Sequence, residues 1–443
     1  MALTVLDLSD AQERDEVSRL RERLRGGGLV RSADGADVSA AVREVIADVA
    51  KRDDQAVIDS TARIEGVELT PETMRVSPEE LSDAHSRGDK EFLALVRRAA
   101  ENVREYQQSI KLASPPALQR GGRELSVRYR PMDRVGIFVP GGSGSGAVLV
   151  SSMVMTVVPA QVAGVGEVAV VSPPTADGDI SSQLLSAAAE LGVTELYRVS
   201  GTAGLAALAL GTERMAKVDK LAGPGNAYVT ETKRQLFGRV GIDSLAGPSE
   251  VLIIADESAE PSWLAADLLS QAEHDPGSAV LVTPSNKLPE AVNSELDRQL
   301  ADLPRAEGAR KCLDAYSAII ITRDLDEACE LSDSFAPEHL QVITGDDDAV
   351  LAKLRHGGAI FVGPHTPVPV GDYYAGPSHV LPTGSAARFS SPLSCNEFIK
   401  ASSVLRYDAD SLDADSADIA GFARREGLEA HARAVEVRRR SHP

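Results

Sequence analysis

Short apolar runs rich in β-branched residues alternate with helix-like segments along most of this 443-residue chain, from Arg134 onward. Each run is four or five residues long and is bounded by turn-forming residues, which is typical of buried strands. The eight strands predicted in this way are 135–139, 168–171, 196–199, 251–255, 279–283, 318–322, 340–343 and 359–362. Strands that alternate with helices form parallel sheets, because a parallel connection is long enough to hold a helix. The alternation therefore predicts an α/β protein.

Glycine- and proline-containing loops at 223–226 and 246–248 interrupt this repeat near its middle. Such breaks fit two open α/β units better than one closed barrel. Helical patterns at 13–25, 38–50 and 90–110 precede the strands. We therefore expect two open, doubly wound α/β units preceded by a helical entry region.

The glycine run that follows the first predicted strand loosely matches a dinucleotide-binding fingerprint through Gly142, Gly144 and Ala147. That fingerprint also requires an acidic residue at the end of the next strand, where this chain has Ser172-Pro173-Pro174 instead. The run is better interpreted as a loop between a strand and the helix that opens near Val150.

Charge and composition disfavour several classes of protein. The chain has 66 acidic and 46 basic residues, and its formal net charge of −20 would repel a nucleic acid. We find neither an N-terminal targeting pattern nor an apolar run long enough to cross a bilayer. Cys312, Cys329 and Cys395 are too widely spaced for a thiolate zinc site or a disulfide framework. We expect a cytoplasmic protein with reduced, buried thiols and no nucleic-acid or membrane partner.

Candidate ligands and titratable groups lie in several loops. Gln271 and His274 end a helical pattern that starts at Pro261, and residues three apart are neighbours on one helix face. Alone, such a pair is more often a solvated helix end than a metal site. Further titratable groups occur before a predicted strand, in a glycine- and proline-rich loop and near the C-terminus, namely Glu338, His339, Asp372, His379, Glu426 and His431.

Ordered segments over most of the chain resemble the histidinol dehydrogenase family. The matching segments are 135–142, 223–230, 246–250, 271–275, 336–340, 371–383 and the tail that contains Glu426 and His431. The resemblance implies a zinc- and NAD-dependent oxidation of L-histidinol to L-histidine through the aldehyde, the final step of histidine biosynthesis. It also implies two incomplete Rossmann-like, doubly wound domains with small helical pieces at the N- and C-termini. The implied assembly is a homodimer with shared active sites and one Zn²⁺ per subunit.

The resemblance also implies residue roles. Its zinc ligands are Gln271, His274, Asp372 and His431, the last from the partner subunit, and amide, carboxylate and imidazole donors suit an open Zn²⁺ site. His339 is implied as the general base of both oxidations, and Glu338 as the base that activates water. The implied substrate-binding set is Ser249, Gln271, His274, Glu338, His339, Asp372, His379, Glu426 and His431.

The implied cofactor-binding residues are Phe138, Ala203 and Asn226. Phe138 and Ala203 depart from the family pattern, which usually has tyrosine and glutamine at these positions. Two hydrogen-bonding side chains are therefore missing, and the loop at 142–150 is longer than usual. NAD remains the expected cofactor because Asn226 is retained.

The implied domains are an N-terminal helical arm (1–28), an α/β domain with most of the zinc site (29–134 and 248–392), an inserted nicotinamide domain (135–247) and a C-terminal arm (393–443). That arm is expected to contribute to the partner's active site.

Two other functions are considered. One is a paralogous zinc- and NAD-dependent dehydrogenase for another polyol, such as a dihydroxypropanesulfonate. A sulfonate would require a cation, so the carboxylate of Glu426 together with His379 favours histidinol. The other is a non-catalytic, zinc-stabilised binding protein, in which Glu338 and His339 would have no chemical role.

Overall fold

A computed structural model describes residues 3–25, 37–141, 149–274 and 277–439. The chain divides into two compact units. The larger unit contains Met1–Ile110 and Met132–Phe398, and the smaller unit contains Lys111–Pro131 and Ile399–Pro443. The glycine run at 142–148 lies outside the described residues, and so do Asp275 and Pro276.

In chain order the strands are β1 (Val5–Asp7), β2 (Leu118–Arg120), β3 (Arg123–Pro131), β4 (Arg134–Phe138), β5 (Glu167–Ser172), β6 (Glu195–Arg198), β7 (Lys220–Ala222), β8 (Gly241–Ile242), β9 (Ser249–Ala255), β10 (Gly277–Thr283), β11 (Ala318–Ile321), β12 (His339–Ile343), β13 (Ala359–Val362) and β14 (Ile399–Tyr407).

The helices are α1 (Ala11–Leu24), α2 (Val38–Arg52), α3 (Asp54–Glu65), α4 (Pro78–Arg87), α5 (Lys90–Ile110), α6 (Val150–Ala163), α7 (Ser182–Glu190), α8 (Gly201–Leu210), α9 (Ala227–Leu236), α10 (Pro261–Ala272), α11 (Leu288–Leu300), α12 (Ala306–Tyr316), α13 (Leu325–Phe335), α14 (Asp347–Leu351), α15 (Val368–Tyr373), α16 (Ala409–Arg425) and α17 (Glu429–Glu436). In the described part of the chain, short 3-10 helices occupy Ala386–Arg388 and Cys395–Phe398.

The larger unit contains two parallel sheets. The six-stranded sheet has the order β1-β11-β10-β9-β12-β13, and the five-stranded sheet has the order β6-β5-β4-β7-β8. All eight predicted strands are present, and the predicted α/β class with doubly wound parallel sheets is confirmed. Among the described residues, β1, β7 and β8 are additional parallel strands of only two or three residues, too short to give a clear apolar pattern.

The strand order of both parallel sheets reverses once. In the five-stranded sheet the chain builds outward from β4 through β5 to β6, then returns to the other side of β4 with β7 and β8. The six-stranded sheet repeats this with β9 as its first central strand, and β1 extends its edge. Such a reversal leaves a crevice outside the carboxyl ends of the two central strands, where ligands of this fold class bind.

The core of the larger unit lies between the sheets and their helices. Apolar residues of α10, α11 and α12 pack on one face of the six-stranded sheet, and residues of α1 and α13 pack on the other. The N-terminal segment is part of this packing, since β1 pairs with β11 and α1 buries Val17, Leu20 and Leu24. The predicted domain boundaries stay predictions.

The smaller unit has a three-stranded antiparallel sheet in the order β14-β3-β2, together with α16 and α17. Arg123 of β3 joins sheet to helix, with its Nε 2.7 Å from Asp415 Oδ2. The buried cluster of this unit contains only alanines, at positions 420, 423 and 432.

The three cysteines are buried, as expected. Within the described parts of the chain, every helix is too short or too polar to span a bilayer.

Candidate active site

Several predicted site residues of the larger unit lie at the amino edge of the six-stranded sheet. Ser249 is the first residue of β9 and His339 is the first residue of β12. These two strands are adjacent and parallel, so their first residues lie at the same edge. Helix α10 connects β9 to β10 and ends next to the start of β10, which brings Gln271 to this edge as well.

A chain of hydrogen bonds joins Gln271 to Glu338. The side-chain Nε2 of Gln271 donates to Ser249 Oγ, and Ser249 Oγ donates to Glu338 Oε2 at 2.6 Å. The backbone N–H of Glu250 donates to the same carboxylate oxygen at 2.8 Å. Glu338 is therefore held in one orientation by two donors. Because the amide nitrogen of Gln271 is committed to Ser249, its amide oxygen is the atom left to act as a ligand.

His339 is buried between two carboxylates. Its Nδ1 donates to the backbone oxygen of Glu250 at 3.1 Å and lies 3.3 Å from Glu338 Oε2, while its Nε2 lies 3.3 Å from Asp372 Oδ1. Burial lowers the pKa of the imidazole, but the charge of Glu338 and the hydrogen bond to Asp372 outweigh it and raise the pKa to about 10. The electrostatic field at His339 is thus set by its two carboxylate neighbours.

Asp372 lies in a short helix and not in the loop that the sequence predicted. Pro367 precedes α15 and Pro369 occupies its first turn, where proline's fixed φ and missing N–H favour helix initiation. Burial raises the pKa of Asp372, but the imidazoles of His339, His379 and His274 lower it further, so that its net pKa lies below the usual range. The charged form of the Asp372 carboxylate is therefore favoured by imidazole side chains.

The tautomer of His379 follows from its hydrogen bonds. Its Nδ1 lies 2.7 Å from the backbone oxygen of Asp372, so Nδ1 carries the proton and donates. Its Nε2 then accepts from the hydroxyl of Ser152, 3.2 Å away. Burial lowers the pKa of His379, which keeps the ring neutral at neutral pH despite the nearby charge of Asp372.

His274 lies just beyond α10, so the prediction that one helix carries both Gln271 and His274 is wrong in its last turn. The helix ends at Ala272, and a tighter turn continues it, with the backbone N–H of His274 bonded to the oxygen of Gln271 at 3.2 Å. The side chain of His274 is exposed and acts electrostatically on Asp372.

The donors Gln271, His274 and Asp372 fit a zinc ion by chemistry, since amide oxygen, imidazole nitrogen and carboxylate oxygen are all Zn²⁺ ligands. In the described parts of the chain, no group of three or more His, Cys, Asp or Glu side chains is arranged to hold a metal. Of the implied zinc ligands in the larger unit, only His274 and Asp372 belong to these four residue types.

Glu426 and His431 lie in the smaller unit. Glu426 caps the C-terminus of α16 and His431 lies in α17. Gly427 makes the turn between them with φ +77°, a conformation that favours glycine. Arg424 pairs with Glu429 at 3.0 Å and with a further glutamate of α17, which fixes the turn that carries Glu426. Both predicted residues are exposed.

The implied cofactor residues lie around the strand-order reversal of the five-stranded sheet. The side chain of Phe138 is buried against the start of α8, and Ala203 is completely buried in the same cluster. Neither presents a polar group to a ligand. Asn226 is exposed and caps α9, its Oδ1 accepting from the backbone N–H groups of Tyr228 and Val229 at 3.1 Å.

Hydrogen bonds join this crevice region to the amino edge of the six-stranded sheet. Ser152, which bonds His379, lies in the first turn of α6, the helix that follows β4. Thr230 of α9 donates to the backbone oxygen of Ala246 at 2.7 Å, three residues before Ser249. The elements that carry the implied cofactor residues are therefore hydrogen-bonded to segments that carry the implied substrate and zinc residues.

A cavity of about 500 Å³ opens beside Asp372 and His379. Apolar side chains, including Tyr106, Phe361 and Leu381, form much of its wall. A small, partly apolar ligand could therefore lie against these two polar groups.

Two site residues were not identified from the sequence. Glu250 is buried, and desolvation together with the charge of Glu338 raises its pKa to about 8, while its Oε1 accepts from the Gly384 N–H at 2.8 Å. A carboxylate directly before the apolar run at 251–255 was an available signal for Glu250. Ser152 had no comparable signal.

Comparisons with known proteins agree on one family. The family model described as histidinol dehydrogenase matches residues 30–439. Histidinol dehydrogenase of Geobacillus kaustophilus (strain HTA426) is 49% identical over 421 residues, covering 94% of this chain and 98% of that protein. That of Rhodopirellula baltica (strain DSM 10527 / NCIMB 13988 / SH1) is 43% identical over 443 residues, covering 98% and 96%. The crystal structure of histidinol dehydrogenase from Elizabethkingia anophelis is similar with a TM-score of 0.90 at 31% identity, covering 98% of each chain.

Proposed function

Because the chain belongs to the histidinol dehydrogenase family, we propose that it oxidises L-histidinol to L-histidine in two steps with NAD as oxidant and one zinc ion per subunit. The observation that carries this proposal is the pair of adjacent groups at one sheet edge, Glu338 held by Ser249 and His339 held between Glu338 and Asp372. A base, a second carboxylate and metal-type donors lie together there.

His339 is the proposed base for the substrate hydroxyl. Its Nδ1 is committed to the backbone oxygen of Glu250, so Nε2, the nitrogen facing Asp372, is the one that accepts the proton. The pKa of His339 is raised by two carboxylates. A cation bound at Asp372 would lower that pKa toward neutrality, where imidazole is an effective base.

Glu338 is the proposed base for the water that hydrates the aldehyde. The donors Ser249 and Glu250 N both bond Oε2, which keeps the carboxylate fixed and leaves Oε1 to accept a proton. Neutral His379, whose Nδ1 proton is donated to the backbone oxygen of Asp372, would accept through Nε2 from the hydroxyl group on the carbon that becomes the carboxylate of histidine.

Gln271, His274, Asp372 and the partner's His431 would hold the zinc ion, and Asn226 would contact the nicotinamide cofactor. When bound, zinc would orient the amino alcohol through its nitrogen and oxygen atoms, and NAD would accept the hydride.

A homodimer is the proposed assembly. The smaller unit exposes large apolar side chains, with Leu405 68%, Phe422 70% and Val437 76% exposed, and its own core consists of alanines. Such an apolar surface is typical of a protein interface. Glu426 and His431 lie in the helix pair that also exposes Phe422 and Val437, so a partner covering this surface would be close to both polar residues.

The test of the proposed function is NADH formation by the zinc-loaded protein with L-histidinol, before and after removal of the metal by a chelator. We expect activity that is lost on chelation and restored by Zn²⁺. Dihydroxypropanesulfonate serves as the competing substrate, and a higher kcat/KM for it than for histidinol would contradict the substrate assignment. Undiminished histidinol oxidation by metal-free protein would contradict the zinc assignment.

A further inference from the structure

A buried ion pair lies beneath the loop that joins β7 to α9. Lys233 Nζ of α9 and Oδ1 of Asp243, the residue after β8, are 2.7 Å apart, and the side chains are only 1% and 2% exposed. Both charges lose their hydration in such a site, and an apolar pair of similar volume is often at least as stable. Stability alone therefore does not explain this pair.

Both members of the pair also bind one backbone residue. Lys233 Nζ donates to the oxygen of Gly223 at 3.0 Å, and the N–H of Gly223 donates to Asp243 Oδ2 at 2.8 Å. Lys233, Asp243 and the backbone of Gly223 thus form a closed ring of polar contacts. The φ of Gly223 is +116°, and a Cβ at this position would lie 2.1 Å from the backbone oxygen of Phe138. The loop is therefore pressed against the end of β4 in a conformation open only to glycine.

Gly223 occupies the strand-order reversal of the five-stranded sheet. It directly follows β7, and Phe138 is the last residue of β4, the neighbouring central strand. Nucleotides bind in the crevice outside these carboxyl ends in doubly wound folds. The same loop continues through Pro224 and Gly225 to Asn226, the exposed residue proposed to contact the cofactor.

We propose that Lys233 and Asp243 are positioning residues for the nicotinamide cofactor, because they fix Gly223 and through it the loop that carries Asn226. Both side chains are too deeply buried to touch the cofactor, so their effect passes through the backbone of the loop. This inference rests on the NAD dependence proposed above.

The test uses the full-length, zinc-loaded protein with both charges replaced by apolar side chains, Lys233→Met with Asp243→Leu. Loss of two hydrogen bonds to Gly223 should raise the Kd for NADH, measured by fluorescence titration, by about tenfold or more, and the KM for NAD in parallel. Zinc content, KM for histidinol and kcat at saturating NAD should stay within roughly twofold, because the hydrogen bonds of the pair go to Gly223 and not to a proposed zinc or substrate residue. A purely structural role would instead lower zinc content and kcat together with cofactor affinity.

Lys220→Met is the matched control. Lys220 is also a buried lysine, at the opposite, amino end of β7, and its Nζ bonds the backbone oxygen and Oε2 of Glu397 at 2.6 Å without touching Gly223. We expect its NADH affinity to equal that of the wild type. An equal loss of affinity in this control would overturn the proposal, since the effect would then be general to buried ion pairs.

A second variant keeps the test decisive if the double variant does not fold. Asp243→Asn preserves the shape and an acceptor for the Gly223 N–H but weakens the hold on Lys233, and its Kd for NADH should rise by roughly threefold. Wild-type affinity for NADH in every variant that folds would overturn the positioning role alone. A wild-type protein that bound neither NAD nor NADH would overturn the cofactor assignment and the positioning role with it.

Discussion

The hydroxyl of Ser152 lies 3.2 Å from Nε2 of His379, and this bond joins the helix that follows the first strand of the five-stranded sheet to the loop after Asp372. On the other side of the imidazole, Nδ1 donates to the backbone oxygen of Asp372 at 2.7 Å. A shift of α6 would therefore change the position of His379, next to the proposed metal ligand Asp372.

Ser152→Ala should lower kcat/KM for histidinol by about fivefold, because one hydrogen bond worth about 1 kcal/mol no longer fixes the His379 ring. Steady-state kinetics with saturating NAD measure this effect. Ser151→Ala, one residue earlier in the same helix, is the matched control and should behave as wild type. Equal kinetics in the two variants would show that the Ser152 bond does not orient His379.

His339→Asn should lower kcat by on the order of 10²–10⁴ while zinc remains bound, because it removes a proton acceptor and no proposed metal ligand. Turnover and metal content by mass spectrometry are measured on the same preparation. Unchanged turnover would reject His339 as the base, and a protein that loses its zinc would show that His339 instead supports the metal site.

His431→Ala should lower both zinc content and turnover, because a metal ligand is removed. When equal amounts of this variant and inactive His339→Asn exchange subunits, half of all dimers become hybrids, and each hybrid has one intact site out of two. About a quarter of wild-type activity should therefore be restored. Hybrid dimers that form without regaining activity would contradict a shared pocket.

Glu231 makes a pH-dependent contribution to stability. Two hydrogen bonds from Arg234, at 2.6 Å each, lower its pKa from 4.5 to about 2. A depressed native pKa stabilises the fold fully above pH 4.5, where the unfolded carboxyl is also ionised, and this contribution is lost as the pH falls toward about 2.

Glu231→Gln should therefore destabilise the protein at pH 7 by at most about 1 kcal/mol, because Arg234 is half exposed to solvent. Urea unfolding of both proteins between neutral pH and acid measures the difference. The difference should shrink as the pH falls below about 4.5. A difference that grows on acidification would contradict the predicted sign.

The central strands of both parallel sheets could be predicted because each is a fully buried apolar run, as in 251–255. The nine-residue strands β3 and β14 were not predicted, because their residues are half-buried or exposed and neither strand contains a buried apolar run. Strands β7 and β8 are too short to show any period, although the Gly223 loop that follows β7 lies at the crevice where we propose that the cofactor binds.

The titratable site residues could be recognised in the sequence, but their residue types alone did not show which of them lie in contact. Glu338 and His339 were recognisable as titratable groups beside a strand, whereas the contact of His339 with Asp372 depends on how β12 packs against α15. Ser152 is one serine in a helix of small and apolar residues, and only the fold brings it to His379.

The most direct measurement of the central claim is the stoichiometry of a reaction in which the zinc-loaded protein converts a limiting amount of L-histidinol with excess NAD, with NADH and L-histidine both quantified. The account predicts two NADH for each histidine formed, and loss of both products in His339→Asn. One NADH per histidinol with aldehyde as the end product, or no oxidation by fully zinc-loaded protein, would contradict it.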